Sequence, residues 1–81
     1  MINADNEATL PLELCEILEI VAPSRGIAEV RRHQTHLYGR DTRAAVFRRQ
    51  IEWLVARGHL RRRGRDIVEL TAKGRAAVNQ S

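Results

Sequence analysis

Arginine is the residue type in this sequence with the clearest capacity for chemistry, and it is concentrated in two short stretches. The first stretch contains Arg40, Arg43, Arg48 and Arg49. The second stretch, residues 61–65, contains four arginines and one glycine. A planar guanidinium group fits phosphate oxygens and the N7/O6 edge of guanine, so the two stretches predict binding to nucleic acid.

Charge is segregated along the chain in a way that favours an anionic partner. Residues 1–22 contain five acidic residues and no basic one, whereas all 14 basic residues come later. Five acidic residues accompany those 14, which gives the later segment a formal net charge of +9. Segregation of this kind indicates a polyanion as the partner of the basic segment. A GC-rich coding bias explains part of the preference for arginine over lysine, but not the segregation.

The residue patterns of enzymes and metal sites are missing from the sequence. There is no Ser/His/Asp set, carboxylate pair or glycine-rich phosphate loop, so we predict no catalysis and no cofactor. The three histidines are scattered and Cys15 is the single cysteine, which argues against a metal site and an internal disulfide. No apolar run approaches the roughly 18 residues of a membrane span. Asp5 and Glu7 stand where a signal peptide would be positive. We therefore predict a cytoplasmic protein, nucleoid-associated when bound to DNA, with no small-molecule ligand.

The spacing of apolar residues predicts a first helix over about residues 10–22. Thr9 is its predicted N-cap, and Pro11 falls in the first turn, where a missing N–H is harmless. Residues 1–8 are polar and are predicted to be a flexible N-terminus. Residues 9–81 then form a single folded domain.

A second helix is predicted to follow, with Ser24 as its N-cap. Its inward-facing residues are predicted to be Ile27, Val30 and Leu37. Gly39 lies in the turn after this helix, at a position that suits a left-handed backbone.

The third predicted helix, about residues 42–57, has the clearest apolar face. Asp41 or Thr42 is its predicted N-cap, and Gly58 ends it. The residues predicted to share the inner face are Ala44, Phe47, Ile51, Leu54 and Val55.

After Gly58 the period of the apolar pattern changes from 3.6 to 2, which predicts a β-hairpin. The strands cover about residues 60–63 and 66–71, with a turn at residues 63–66. An isolated hairpin is marginally stable in water, so this one must pack on the helices. Thr71 is predicted to cap a last helix over residues 72–79.

Two segments of the chain resemble bacterial winged-helix regulators. Residues 42–60, which end Ile-Glu-Trp-Leu-Val-Ala-Arg-Gly-His-Leu, look like a recognition helix and its exit, although His59 stands where an apolar residue is usual. Residues 70–75, Leu-Thr-Ala-Lys-Gly-Arg, look like the segment after the wing in MarR-like and PadR-like regulators. The resemblance covers about residues 12–78. It implies a mainly α fold with a small β-hairpin, namely a winged helix-turn-helix of three helices, a two-stranded wing and a short C-terminal helix.

The predicted DNA-binding residues come from the third helix and the hairpin. Arg43 and Arg49 are predicted to reach guanine edges, whereas Arg40 and Arg48 are placed for the DNA backbone. Only Asp66 lies near the hairpin arginines in the sequence, so phosphates or a minor groove would supply their missing counter-charge. The full predicted set is Arg40, Thr42, Arg43, Ala45, Arg48, Arg49, Arg61, Arg63 and Arg65.

The function predicted from the sequence is sequence-specific binding to double-stranded DNA, as in a small transcriptional regulator. The third helix would enter the major groove, and the wing would contact the minor groove or the backbone. A homodimer formed through the acidic first helix would double the length of the site. Two alternatives stay open, a winged-helix module that binds an acidic protein in a larger complex and an RNA-binding module. The glutamates of the first helix could also pair with arginines of their own domain.

Overall fold

Four helices and three short strands make up residues 10–79, the part of the chain that the computed structural model describes. The predicted flexible N-terminus and the predicted cap Thr9 lie outside these residues. None of the described helices is long and apolar enough to cross a membrane. In chain order the elements are α1 (Leu12–Val21), β1 (Ser24–Gly26), α2 (Ile27–Tyr38), α3 (Ala44–Ala56), β2 (Leu60–Arg62), β3 (Ile67–Leu70) and α4 (Ala72–Asn79).

The four predicted helices and the predicted hairpin are all present. The bounds of α4 agree with the prediction, and Thr71 caps this helix by accepting a hydrogen bond from the backbone N–H of Gly74 at 3.0 Å. Helix α1 begins only after Pro11, which occupies the N-cap position and not the first turn. The hairpin strands are each shorter than predicted, because Arg63, Asp66 and Thr71 lie outside them.

The sheet has three strands, because a strand that was not predicted joins the two strands of the wing. Ser24–Gly26 forms β1, which pairs antiparallel with β3 and gives the strand order β1-β3-β2. Ser24 therefore does not cap α2, and Gly26 is the N-cap residue instead. A three-residue strand is too short to show an alternating pattern, and here its pairing with β3 outweighs the capping preference of serine.

Two further local predictions about the helices were wrong. Helix α3 begins at Ala44, two residues later than predicted, with Arg43 at the N-cap and no side-chain cap. Leu37 is 61% exposed at the end of α2, and Ala44 is exposed at the start of α3. Gly39 has the predicted left-handed backbone, with φ of 68°, so the prediction of a turn between α2 and α3 is confirmed.

The core is aliphatic apart from one phenylalanine, and it lies between the helices and the inner face of the sheet. Helices α1 and α3 contribute apolar residues at helical spacing, and β3 contributes every second residue. Helix α2 and strand β2 each contribute one residue. The buried apolar residues are Leu14, Ile17, Leu18, Ile20, Val21, Val30, Phe47, Ile51, Leu54, Leu60, Val68 and Leu70.

Helix α4 is held against the start of β2 by the Leu-Thr-x-x-Gly segment. The hydroxyl of Thr71 lies within hydrogen-bond distance of the carbonyl oxygens of Gly58 and His59. Gly74 is buried, and a Cβ atom at this position would overlap the carbonyl oxygen of His59. The glycine therefore allows the helix backbone to approach the chain entering β2.

Candidate nucleic-acid interface

A groove of about 640 Å³ lies between the first half of α2, helix α3 and the hairpin. Its floor includes Phe47 and Ile51, whose side chains belong to the core. Ala44 lines one wall, where its small side chain leaves the groove open. Five arginines from these three elements line the groove: Arg31, Arg32, Arg48, Arg62 and Arg65.

Of the arginines predicted as DNA contacts, Arg48 and Arg65 line this groove. Arg48 lies one helical turn after Ala44 and is exposed. Arg65 is exposed at the turn of the hairpin. Within residues 10–79 neither guanidinium has a carboxylate partner. Both are therefore available to an anionic ligand.

Three arginines in the groove were not in the predicted set. Arg31 and Arg32 come from α2, for which no DNA contacts were predicted. The Nε of Arg31 donates to the backbone carbonyl of Thr42 at 2.8 Å, so this side chain fixes the turn before α3. Arg32 is exposed and has no such partner among the described residues. The sequence placed Arg32 on the outer side of α2, close to the inward-facing Val30, and gave no other indication that it faces the wing.

The hairpin arginines are divided between two faces by strand alternation. Arg62 shares the inner face of β2 with Leu60 and reaches Glu52 of α3 at 3.5 Å. Arg61 lies opposite Glu69 on the other face, and their side chains meet at 3.2 Å. Arg63 reaches the same carboxylate at 3.4 Å. Arg61 and Arg63 do not line the groove.

The prediction that the hairpin arginines lack a counter-charge within the protein was wrong. Glu69 forms ion pairs with Arg61 and Arg63, and Glu52 forms an ion pair with Arg62. Partial burial alone would raise the pKa of Glu69, but the hydrogen bonds and charges of Arg61 and Arg63 lower it below its usual value. Glu69 is consequently ionised at neutral pH and neutralises part of the hairpin charge.

Arg40 is engaged in a contact that holds the fold together. Its Nε donates to one carboxylate oxygen of Glu16 at 2.8 Å, and its terminal nitrogen donates to the other at 3.1 Å. Gln34 also donates to Glu16, at 3.2 Å. Glu16 is buried, so this network ties α1 to α2 and to the turn before α3. Pairing of a first-helix glutamate with an arginine of the same domain was one of the open alternatives.

The remaining predicted residues surround the start of α3. Arg43 precedes the helix, and Ala45 and Arg49 lie on its exposed side away from the core. Thr42 is partly buried, and its carbonyl oxygen is occupied by Arg31. None of these four residues lines the groove.

The hairpin is fixed to α2 through the backbone. The N–H of Ile27, the first residue of α2, donates to the carbonyl oxygen of Asp66 in the hairpin turn at 2.7 Å. The pairing of Gly26 with Ile67 continues this connection into the sheet. Backbone hydrogen bonds thereby set the separation between the hairpin turn and the start of α2.

An aromatic cluster lies at the other end of α3. The rings of Trp53 and His59 are stacked, with centroids 6.5 Å apart, and the guanidinium of Arg57 lies 4.6 Å from the Trp53 ring. His59 is buried, as the apolar residue usual at this position would be. Burial, together with the charges of Lys73 and Arg57, lowers the pKa of His59 below its usual value.

In residues 10–79 no three His, Cys, Asp or Glu side chains are grouped as metal ligands would be.

The arrangement of these elements is shared with a solved structure. H. salinarum RosR, from a crystal grown from NaBr, superimposes on the protein with a TM-score of 0.80 over 88% of this chain and 69% of RosR. The two sequences are 21% identical. The chain folds as a winged helix-turn-helix domain. No protein-family model and no curated protein matches the sequence.

In this winged helix-turn-helix domain, α2 and α3 form the helix-turn-helix, and β2 and β3 form the wing. The sequence prediction of this fold is confirmed. The likeness to RosR supports the fold, whereas the resemblance to MarR-like and PadR-like regulators stays a prediction. The groove described above therefore lies between the helix-turn-helix and the wing.

Proposed function

We propose that this protein binds double-stranded DNA sequence-specifically as a small transcriptional regulator. Helix α3 enters the major groove, and the wing contacts the minor groove or the backbone. The observation that carries the proposal is the convergence of arginines from α2, α3 and the wing on one groove. Phosphate neutralisation by such a surface supplies most of the affinity, and base contacts from α3 supply the specificity.

The arginines differ in their availability to DNA. Arg32, Arg48 and Arg65 are exposed and have no carboxylate partner in the described chain, so they lead the proposal. Arg43 and Arg49, with the small Ala45 beside them, adjoin the groove and complete the surface of α3. Arg40, Arg61 and Arg63 must share or give up a carboxylate before they contact DNA, and Thr42 contributes at the edge.

Binding to labelled duplexes over a range of salt concentrations tests this proposal. Arg48→Ala and Arg65→Ala are each expected to weaken binding about tenfold or more, the range of one good guanidinium contact. Each loss of a phosphate contact should also make the negative slope of the logarithm of the binding constant against the logarithm of the salt concentration shallower by about 0.9. Arg75→Ala is the matched control, because Arg75 is exposed on α4 and does not line the groove. This control should bind as the wild type does.

The same measurement separates the alternatives. Duplex DNA, single-stranded and duplex RNA, and an acidic polypeptide are compared at about 50 mM salt, where electrostatic binding is strong. If duplex RNA or the acidic polypeptide binds and duplex DNA does not, the DNA proposal is wrong. Equal losses in Arg75→Ala and Arg65→Ala would also contradict it, since the groove would then have no special role.

The proposal includes a homodimer in the cytoplasm, associated with the nucleoid when bound to DNA. Two copies would read two half-sites related by two-fold symmetry. The exposed side of α1, which includes Leu12 and Glu19, is the proposed contact surface. Light scattering after size exclusion measures the mass directly, and a monomer on DNA of any length would contradict the dimer while leaving DNA binding intact.

A further inference from the structure

Glu52 is an acidic side chain placed on the groove side of α3, among the arginines proposed to contact DNA. It follows Arg48 by one helical turn, and both line the groove. Its carboxylate meets Arg62 of the wing at 3.5 Å, with side chains that are 58% and 41% exposed respectively. Exposed ion pairs of this kind contribute little to stability. Stability therefore does not explain why a carboxylate occupies this position.

The carboxylate of Glu52 has most of its hydrogen-bonding capacity free. An ionised carboxylate accepts about four hydrogen bonds. Among the described residues Glu52 has the single long contact with Arg62, whereas Glu16 and Glu69 each accept hydrogen bonds from two side chains. The contact with Arg62 holds the carboxylate on the wing side of α3.

The chemistry of the base edges decides what such an acceptor can bind. A carboxylate repels phosphate, so it disfavours a purely electrostatic contact at this point of the groove. In the major groove guanine presents two acceptors, thymine presents an acceptor and a methyl group, and adenine presents an acceptor beside its amino group. Cytosine presents an amino donor with no acceptor of its own beside it. Of the four bases, cytosine is the best partner of a group that has acceptors only.

We propose that Glu52 is a specificity-determining residue that accepts a hydrogen bond from the amino group of one cytosine. Arg62 positions the carboxylate through the wing. This inference rests on the proposed function, because it requires α3 to lie in the major groove.

Selection of binding sites from random duplexes, followed by titration of single-base variants, tests the inference. Wild type should prefer cytosine at one position by about tenfold or more. Glu52→Ala should lose the preference at that position alone and retain the others. It should also bind random duplexes more tightly, with the slope of log K against log salt steeper by about 0.9, because Arg62 is freed for a phosphate. The exposed helical position of Glu52 makes alanine compatible with folding, which circular dichroism checks.

Glu69→Ala is the matched control. This change also removes a carboxylate partner of wing arginines, but Glu69 does not line the groove. It should raise affinity for all sequences and leave the cytosine preference unchanged. If Glu52→Ala keeps the cytosine preference, or if Glu69→Ala loses it equally, the role of Glu52 is wrong while DNA binding stands. If wild type binds no duplex DNA, both proposals fail.

Discussion

His59 is a titratable residue in a buried position, between the end of α3 and the start of β2. Its backbone N–H donates to the carbonyl oxygen of Leu54 at 2.9 Å, and its ring is stacked on the ring of Trp53. The Nδ1 atom of the ring is buried without a hydrogen-bond partner. Burial, with the positive charges of Lys73 and Arg57 nearby, lowers the pKa of this ring and disfavours its second proton in the folded protein.

The lowered pKa of His59 predicts that the protein loses stability in mild acid. Because the unfolded chain takes up a proton near pH 6.5 and the folded chain resists it, the free energy of unfolding should fall as the pH drops below about 6.5. His59→Leu should remove this part of the pH dependence and be at least as stable at pH 7.5, since it also removes an unsatisfied polar atom. Urea unfolding followed by fluorescence of Trp53, the single tryptophan, measures both effects.

His36→Gln is the control for this prediction, because His36 is exposed on α2. It should keep the pH dependence of the wild type. A His59→Leu protein that loses stability with acid as steeply as the wild type would show that another group is responsible.

Side-chain chemistry was easier to predict from the sequence than side-chain partners. The apolar face of α3 and the change of period after Gly58 are local features, and they correctly indicated α3 and the wing. The partners of Arg40, Arg61 and Arg62 lie between 8 and 24 residues away in the sequence, and the pairs form only when the elements pack. Arg31 and Arg32 were missed for the same reason, since nothing local places α2 beside the wing.

At the scale of the elements, the contact between α4 and the entry to β2 depends on a helical glycine. Alanine is normally the better helix former by about 1 kcal/mol at an exposed position. Gly74 is buried, however, and an added Cβ would overlap the His59 carbonyl oxygen, which belongs to the backbone and cannot turn aside.

We therefore expect Gly74→Ala to destabilise the protein by about 1–3 kcal/mol, the range for overpacking at a tight contact. Denaturant unfolding monitored by circular dichroism gives the change in the free energy of unfolding. Ala76→Ser, an exposed change on the same helix, should alter stability by no more than about 0.5 kcal/mol. A stabilised Gly74→Ala protein would mean that α4 can move away without loss.

Elements with a local signal in the sequence were predictable, and strand β1, which depends on a distant partner, was not. Apolar periodicity identified α1 and α3, and the capping residue Thr71 indicated α4. Gly39 and Gly58, with positive φ angles of 68° and 86°, follow the ends of α2 and α3. Strand β1 has three residues, and only β3, more than 40 residues later, gives them strand geometry. The N-caps of α2 and α3 were misplaced because these helices begin without a side-chain cap.

At the scale of the whole molecule, the buried carboxylate of Glu16 joins the acidic first helix to the basic remainder of the chain. The hydrogen bond from Arg40 is the main cause that lowers the pKa of Glu16; burial opposes it and Gln34 adds to it. The contact with Arg40 spans 24 residues, so it closes the turn between α2 and α3 onto α1.

Glu16→Gln is expected to lower the free energy of unfolding by about 1–3 kcal/mol at pH 7, the range for hydrogen bonds to a charged group. A depressed pKa means that this contribution is present above about pH 4.5 and is lost as the pH falls through the folded-state value. The difference between wild type and variant should therefore shrink below about pH 4.5. Glu19→Gln, on the exposed side of α1, should change stability by less than about 0.5 kcal/mol. An equal loss in both variants would contradict the special role of Glu16.

The backbone bond between Ile27 and Asp66 has a consequence for how the molecule meets any large ligand. A free hairpin would sample many orientations and lose that entropy on contact, at a cost that reduces affinity. Here the root of the wing and the start of α2 move as one rigid unit, because β1 and the 2.7 Å bond join them. Little conformational freedom then remains to be lost, and a ligand must match a spacing that the protein has already set.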